Sequence, residues 1–134
     1  MSFTYRVDHA ARRVTFTAST TLTVADFIEV FEAALENPEF DPTYGRLWDV
    51  RPALDPLDGR QVRAIAAQYA ARIEPRLTAG RSALLVGSDV YYGLSRMFAG
   101  LSEAARVEFR VFRDEAEAVA WLDELGERAA TGGG

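Results

Sequence analysis

The stretch ALLVGSDVYYGLSRMFAGL, residues 83–101, decides the fold of this chain. Ala83 to Val86 are continuously apolar, as in a central strand that is covered on both faces. Ser88 or Asp89 then begins a helix. Five apolar residues at helical spacing are predicted to point inward from that helix: Val90, Leu94, Met97, Phe98 and Leu101. A buried strand that leads directly into an amphipathic helix indicates a parallel α/β sheet.

The rest of the chain extends this pattern in both directions. Two runs with period-two hydrophobicity, residues 3–7 and 14–18, predict an N-terminal hairpin. Further strands are predicted at residues 46–50 and 107–111, and further helices begin at Thr23, Asp58 and Asp114, each a residue type that caps helices. Gly126 is predicted to end the last helix. The order ββαβαβαβα therefore predicts an α/β fold with a mixed five-stranded sheet and four helices.

Composition limits the class of protein. A chain of 134 residues with 49% hydrophobic content fits one domain, which we assign to residues 1–128, with residues 129–134 as a disordered tail. Runs of apolar residues are too short to cross a bilayer, so we expect no integral membrane association and a cytoplasmic location. The net charge of −5 disfavours nucleic acid as a partner.

The sequence lacks the residues that several kinds of catalysis require. Cysteine and lysine are absent, which excludes thiolate and Schiff-base chemistry. Asp49 ends a strand where receiver domains carry their phosphoryl acceptor, but the acidic pair and the lysine of that site are missing. His9 falls in the predicted hairpin turn, and Ser95 lacks the second glycine of a nucleophile elbow. We expect no catalytic residues, no metal, no cofactor and no enzymatic activity.

Three segments resemble a known family: SDVYYGLSRMF at residues 88–98, VFRDEAEAVAWL at residues 111–122, and LWDVR at residues 47–51. With the element order, they are similar to the SpoIIAA-like, STAS/Sec14-related family of small bacterial proteins. The resemblance covers nearly the whole chain and implies a binding or regulatory module. The phosphorylatable serine of STAS domains has no counterpart, since residues 49–59 contain neither serine nor threonine.

A candidate ligand site follows from the rule that open α/β sheets bind ligands beyond the carboxyl ends of their strands. The loops at that edge and the helix that follows contribute nine residues: Asp49, Arg51, Ser88, Asp89, Tyr91, Tyr92, Gly93, Arg96 and Met97. Arg113 and Asp114 come from a third loop at the same edge. The alternative is that the aromatic residues fill the core and that Arg96 pairs with a nearby acid.

Two functional hypotheses remain open. Five arginines and only two acidic residues lie between residues 58 and 81, and Arg60, Arg63 and Arg72 on the second helix would bind a regulatory protein or a second copy in a homodimer. The alternative is a Sec14-like carrier or sensor, in which a small apolar or amphipathic ligand lies between helices and sheet. Four residues would surround it: Tyr91, Tyr92, Met97 and Phe98.

Overall fold

The computed structural model describes residues 3–54, 57–77, 80–102 and 107–132, the last eight by their backbone only. Within these residues the chain forms five strands and four α-helices in the predicted order. They are β1 (Phe3–Asp8), β2 (Arg13–Ala18), α1 (Val24–Glu36), β3 (Gly45–Asp49), α2 (Gly59–Gln68), β4 (Gly80–Leu85), α3 (Asp89–Leu101), β5 (Val107–Phe112) and α4 (Glu115–Gly132). A π-helical turn (Tyr69–Ile73) and a 3₁₀ turn (Glu74–Arg76) continue α2.

The five strands form one mixed sheet in the order β1-β2-β3-β4-β5. β1 and β2 are antiparallel, and every later pair is parallel. Capping boxes begin two of the helices: Thr23 with Asp26 at α1, and Asp58 with Gln61 at α2. The predicted α/β fold, with its hairpin and parallel crossovers, is confirmed.

The strand order determines where the helices lie. Successive parallel crossovers of one hand that step in one direction place their helices on the same face of a sheet. Accordingly, Trp48 and Leu84 face α1, α2 and α3, whereas their neighbours Leu47 and Leu85 face α4. We call these the three-helix layer and the α4 layer.

The buried face of α3 differs from the prediction. Val90 and Leu101 were expected to point inward, but they are 55% and 51% exposed, whereas Tyr91 is buried. The reason is that α3 divides its apolar residues between two neighbours. Tyr91 packs in the main core, while Leu94 and Met97 turn sideways toward the cluster at the start of α2.

The C-terminal end of α4 also departs from the prediction. The helix does not end at Gly126 but continues to Gly132. The disordered tail at residues 129–134 stays a prediction, and residues 133 and 134 lie outside the described residues. Among the helices of the described part, none combines the length and hydropathy needed to cross a membrane.

Candidate functional site

The first group of predicted site residues lies at the carboxyl end of β3. Arg51 donates from Nε and Nη2 to the two carboxylate oxygens of Asp49, both at 2.9 Å, and Nη2 also contacts Glu115 Oε1 at 2.8 Å. Partial burial raises the pKa of Asp49, but hydrogen bonds from the Arg51 side chain and backbone outweigh this and hold that pKa below its ordinary value. Asp49 therefore fixes Arg51 and, through it, the start of α4.

The second group lies at the start of α3. Ser88 caps the helix by accepting from the Tyr91 backbone N–H at 3.2 Å. Arg113 Nη1 contacts Asp89 Oδ1 at 2.6 Å, and its guanidinium lies 4.4 Å from the centroid of the Tyr92 ring. Arg96 approaches the same ring at 6.0 Å. Arg96 thus contacts an aromatic face, and the charges of this loop pair with one another.

Three predicted residues point away from these two groups. Tyr91 is buried in the core, and Met97 packs with the cluster at the start of α2. Gly93 is exposed, and a Cβ added there would meet no described atom within 4 Å. The structure therefore does not bring the nine predicted residues into one site.

A cavity of about 80 Å³ lies between the three-helix layer and the sheet. We call it the helix–sheet cavity. Seven aromatic residues line it: Phe27, Phe31, Trp48, Tyr69, Tyr91, Phe98 and Phe109. Aliphatic side chains from β4, from all three helices and from the loops after β3 and before α2 also line it. The cavity is partly open to the surface and is not an enclosed void.

Helix α2 forms the roof of the helix–sheet cavity. α1 packs directly on β1 and α3 packs directly on β5, whereas α2 packs mainly against these two helices. Four residues from α2, its preceding loop and its π-helical turn face the cavity: Leu57, Val62, Ile65 and Tyr69. π-helical turns within helices are frequently found at functional sites. Helix α2 therefore packs on α1 and α3, and the helix–sheet cavity lies between α2 and the sheet.

Three residues that line the helix–sheet cavity carry hydroxyl groups: Tyr69, Tyr91 and Ser95. The wall that they help to form is nevertheless almost entirely apolar. Burial raises the pKa of Tyr69 to about 12, although the charge of Arg46 opposes this. The Tyr69 hydroxyl is therefore protonated at neutral pH and can donate.

Arg46 is a fully buried cation next to this wall. Its guanidinium donates to Ser82 Oγ at 3.1 Å and to the Pro42 carbonyl at 3.0 Å, but Nη2 has no partner among the described residues. Gly80, with φ +138°, makes room, since a Cβ there would lie 2.7 Å from Nη2. Burial lowers the pKa of Arg46 to about 10, so the group keeps its charge near neutral pH.

Comparison with known proteins supports the fold. No protein-family model matches the chain, and no curated protein matches it. A solved structure does match, an uncharacterized protein of the DUF3478 family with a SpoIIAA-like fold from Shewanella loihica PV-4. The TM-score is 0.57 at 19% sequence identity, over 90% of this chain and 91% of that chain. This chain has a SpoIIAA-like fold. The similarity at this level of identity concerns the fold alone.

The predicted partner-binding arginines of the SpoIIAA-like domain differ in their surroundings. Arg60 and Arg63 are exposed on α2, whereas Arg72 Nη2 contacts Glu32 Oε1 on α1 at 2.7 Å. Arg81, which contributed to the basic segment, is 5% exposed and contacts Glu124 at 3.0 Å. The hypothesis that this face binds a regulatory protein or a second copy stays a prediction, with Arg60 and Arg63 as its accessible residues.

Sequence reasoning missed two features of the site. Arg46 was assigned to a strand with no special role, because a charged residue at the start of a strand ordinarily faces water. The helix–sheet cavity lies near the predicted Tyr91 and Phe98, but most of its wall comes from residues outside α3. The alternation in β3 places Arg46 on the same face as Trp48, and this was the available signal for a buried cation.

Proposed function

We propose that this SpoIIAA-like domain binds a small, mostly apolar molecule in the helix–sheet cavity, and that it acts as a binding or sensing module and not as an enzyme. The cavity is the observation that carries the proposal. It lies where the Sec14-like hypothesis placed a ligand, between the helices and the sheet, and Tyr91 and Phe98 of that hypothesis line it. Tyr92 and Met97 do not belong to its wall.

The lining of the cavity supports an apolar ligand. Its wall is almost entirely apolar and partly open to the surface, so a ligand that enters it buries apolar surface. Binding to the folded state alone stabilises that state.

The loops at the carboxyl ends of the strands are a less suitable ligand site than the helix–sheet cavity, because their charged side chains already bind one another. Arg51 is held by Asp49 and Glu115, and Arg113 is held by Asp89. A polar ligand at that edge would have to compete with these ion pairs. The helix–sheet cavity offers open volume instead.

A titration of the ¹⁵N-labelled protein with xenon and with cyclopentane tests the proposal. We expect chemical-shift changes confined to residues that line the cavity, such as Val62, Leu84 and Phe109. Leu84→Phe should abolish them, because the larger ring occupies the cavity. Arg63→Ala, on the outer side of α2, is the control and should bind as the wild type does. Absence of shifts in the wild type, or unchanged binding by Leu84→Phe, would contradict the proposal.

A further inference from the structure

Strand β5 forms one edge of the sheet. Among the described strands it pairs with β4 alone, in an uninterrupted parallel register. Its sequence, VEFRVF, contains no proline. Natural edge strands are usually protected from pairing by prolines, bulges or charges. β5 therefore presents a regular edge, and its charged residues decide which strand can bind there.

The orientation of the main chain shows which residues of β5 offer hydrogen bonds at this edge. The Phe112 carbonyl accepts from the Val86 N–H at 2.9 Å, so Phe112 directs its main-chain groups toward β4. The N–H and C=O groups of successive residues point to alternate sides of a strand. Three residues therefore direct these groups outward, away from β4: Val107, Phe109 and Val111.

Two opposite charges lie on the α4 face of β5. The Glu108 side chain is 66% exposed, with Oε2 at 3.9 Å from Arg81 Nε. Arg110 is also exposed, and its guanidinium carbon lies 5.7 Å from the centroid of the Trp121 ring. Helix α4 packs mainly on β3 and β4. Both charged groups therefore lie within reach of a strand that binds at the edge.

One antiparallel register of two β5 strands sets these opposite charges against each other. A two-fold axis at Glu108 places glutamate opposite glutamate, and an axis at Arg110 places arginine opposite arginine. Like charges directly opposite each other destabilise a sheet. An axis at Phe109 places Glu108 opposite Arg110 of the second copy, and the reverse. The same register pairs Val107 with Val111, so every outward-facing residue meets another.

We propose that a second copy of this chain binds at the β5 edge, and that the two strands pair antiparallel about a two-fold axis at Phe109. The three pairs of outward-facing residues supply about six main-chain hydrogen bonds. Glu108 and Arg110 form the non-hydrogen-bonded pairs, in which opposite side chains approach most closely. A two-fold axis closes the assembly at a dimer. This edge is distinct from the α2 surface, and pairing there requires no ligand in the helix–sheet cavity.

Charge reversal tests the register. Arg110→Glu should raise the dissociation constant of the dimer about tenfold, because two cross-strand charge pairs change from attraction to repulsion. Glu108→Arg should act in the same direction. The double variant Glu108→Arg, Arg110→Glu restores opposite charges and should dimerise about as the wild type does. Arg6→Glu, at an exposed position of β1 on the other edge, changes the net charge as Arg110→Glu does and should leave the dimer unchanged. Sedimentation velocity over a concentration series measures each protein.

Hydrogen exchange identifies the bonding residues. The Phe109 and Val111 N–H groups face outward, so we expect their exchange to slow as the protein concentration rises. The Glu108 and Arg110 N–H groups face β4 and should be protected at every concentration. Val111→Pro removes one outward N–H without removing a hydrogen bond between β4 and β5. It should weaken the dimer, while the ¹H–¹⁵N spectrum of each variant verifies that the chain is folded.

Several outcomes would overturn this inference. They are a wild type that sediments as a monomer at every concentration, a dimer that Arg110→Glu leaves intact, and a folded double variant that does not recover. Loss of the dimer in Arg63→Glu, with exchange at Phe109 and Val111 independent of concentration, would place the interface on α2 instead. A series of ever larger oligomers would indicate head-to-tail pairing of β5 with β1 and exclude the two-fold dimer. The xenon titration tests the cavity separately from all of these.

Discussion

The two faces of the sheet are packed in different ways. In the three-helix layer, aromatic rings surround the helix–sheet cavity. In the α4 layer, the buried residues form a small cluster in which Leu85 is fully buried; its members are Leu47, Ala83, Leu85, Ala118, Trp121 and Leu122. Leu84 and Leu85 are adjacent in β4 but belong to different layers. One strand therefore contributes to a layer that contains a cavity on one face and to a small buried cluster with α4 on the other.

Residue size explains the difference. Gly45 allows α4 to approach the sheet closely, since a Cβ there would lie only 3.2 Å from Leu122 Cδ2. In the three-helix layer, Trp48 stacks on Phe16 with centroids 4.0 Å apart and planes at 7°. Large flat rings have few rotamers with which to close a remaining gap. The helix–sheet cavity lies beside this aromatic cluster, with Trp48 in its wall.

Truncation of the two leucines should give the largest effect. Leu85→Ala is expected to lower the free energy of unfolding by about 3–5 kcal/mol, because it opens a new void in a closely packed cluster. Leu84→Ala should cost about 2–3 kcal/mol, because this side chain borders an existing cavity and makes fewer contacts there. Urea denaturation measures both. A larger loss for Leu84→Ala would mean that the three-helix layer is the tighter one.

Enlargement of the same two residues should give the same order of effects, over a smaller range of free energy. Leu85→Phe is expected to lower the free energy of unfolding by about 1–3 kcal/mol, because Leu85 is fully buried and a larger side chain there forces its neighbours to shift. Leu84→Phe should stay within about 1 kcal/mol of the wild type, since its ring enters the helix–sheet cavity. Calorimetry measures this difference. Equal losses would show that the cavity cannot accept a ring from β4.

The sequence predicted the architecture well because its signals are local. Period-two strands, capping residues such as Thr23 and Asp58, and the apolar run at Ala83–Val86 each act within a few residues. The SpoIIAA-like resemblance predicted the same fold, and the structural comparison confirms it.

The site was harder to predict because it depends on contacts between distant segments. The charges at Asp49 and Asp89 were predicted to face a ligand, but arginines from their own and neighbouring loops bind them. The helix–sheet cavity results from the way three helices pack over one sheet, and no spacing in the sequence encodes an unfilled volume. Arg46 likewise depends on Ser82, 36 residues away, for its hydrogen bond.

The smallest predicted effect concerns the ion pairs that connect the α4 layer to the end of β3. The pKa of Asp49 is lowered in the folded chain from its ordinary value of 3.8, so the pair stabilises the fold above about pH 4 and loses this contribution as the pH falls through the folded pKa. Arg51 and Glu115 are substantially exposed, and solvent screening therefore limits the effect of Arg51→Ala to about 0.5 kcal/mol at pH 7. Denaturation at pH 7 and pH 3 should show the difference from wild type shrinking with acid, whereas the exposed Arg60→Ala should show no such trend. A difference that is the same at both pH values would mean that Arg51 stabilises α4 by packing and not by charge.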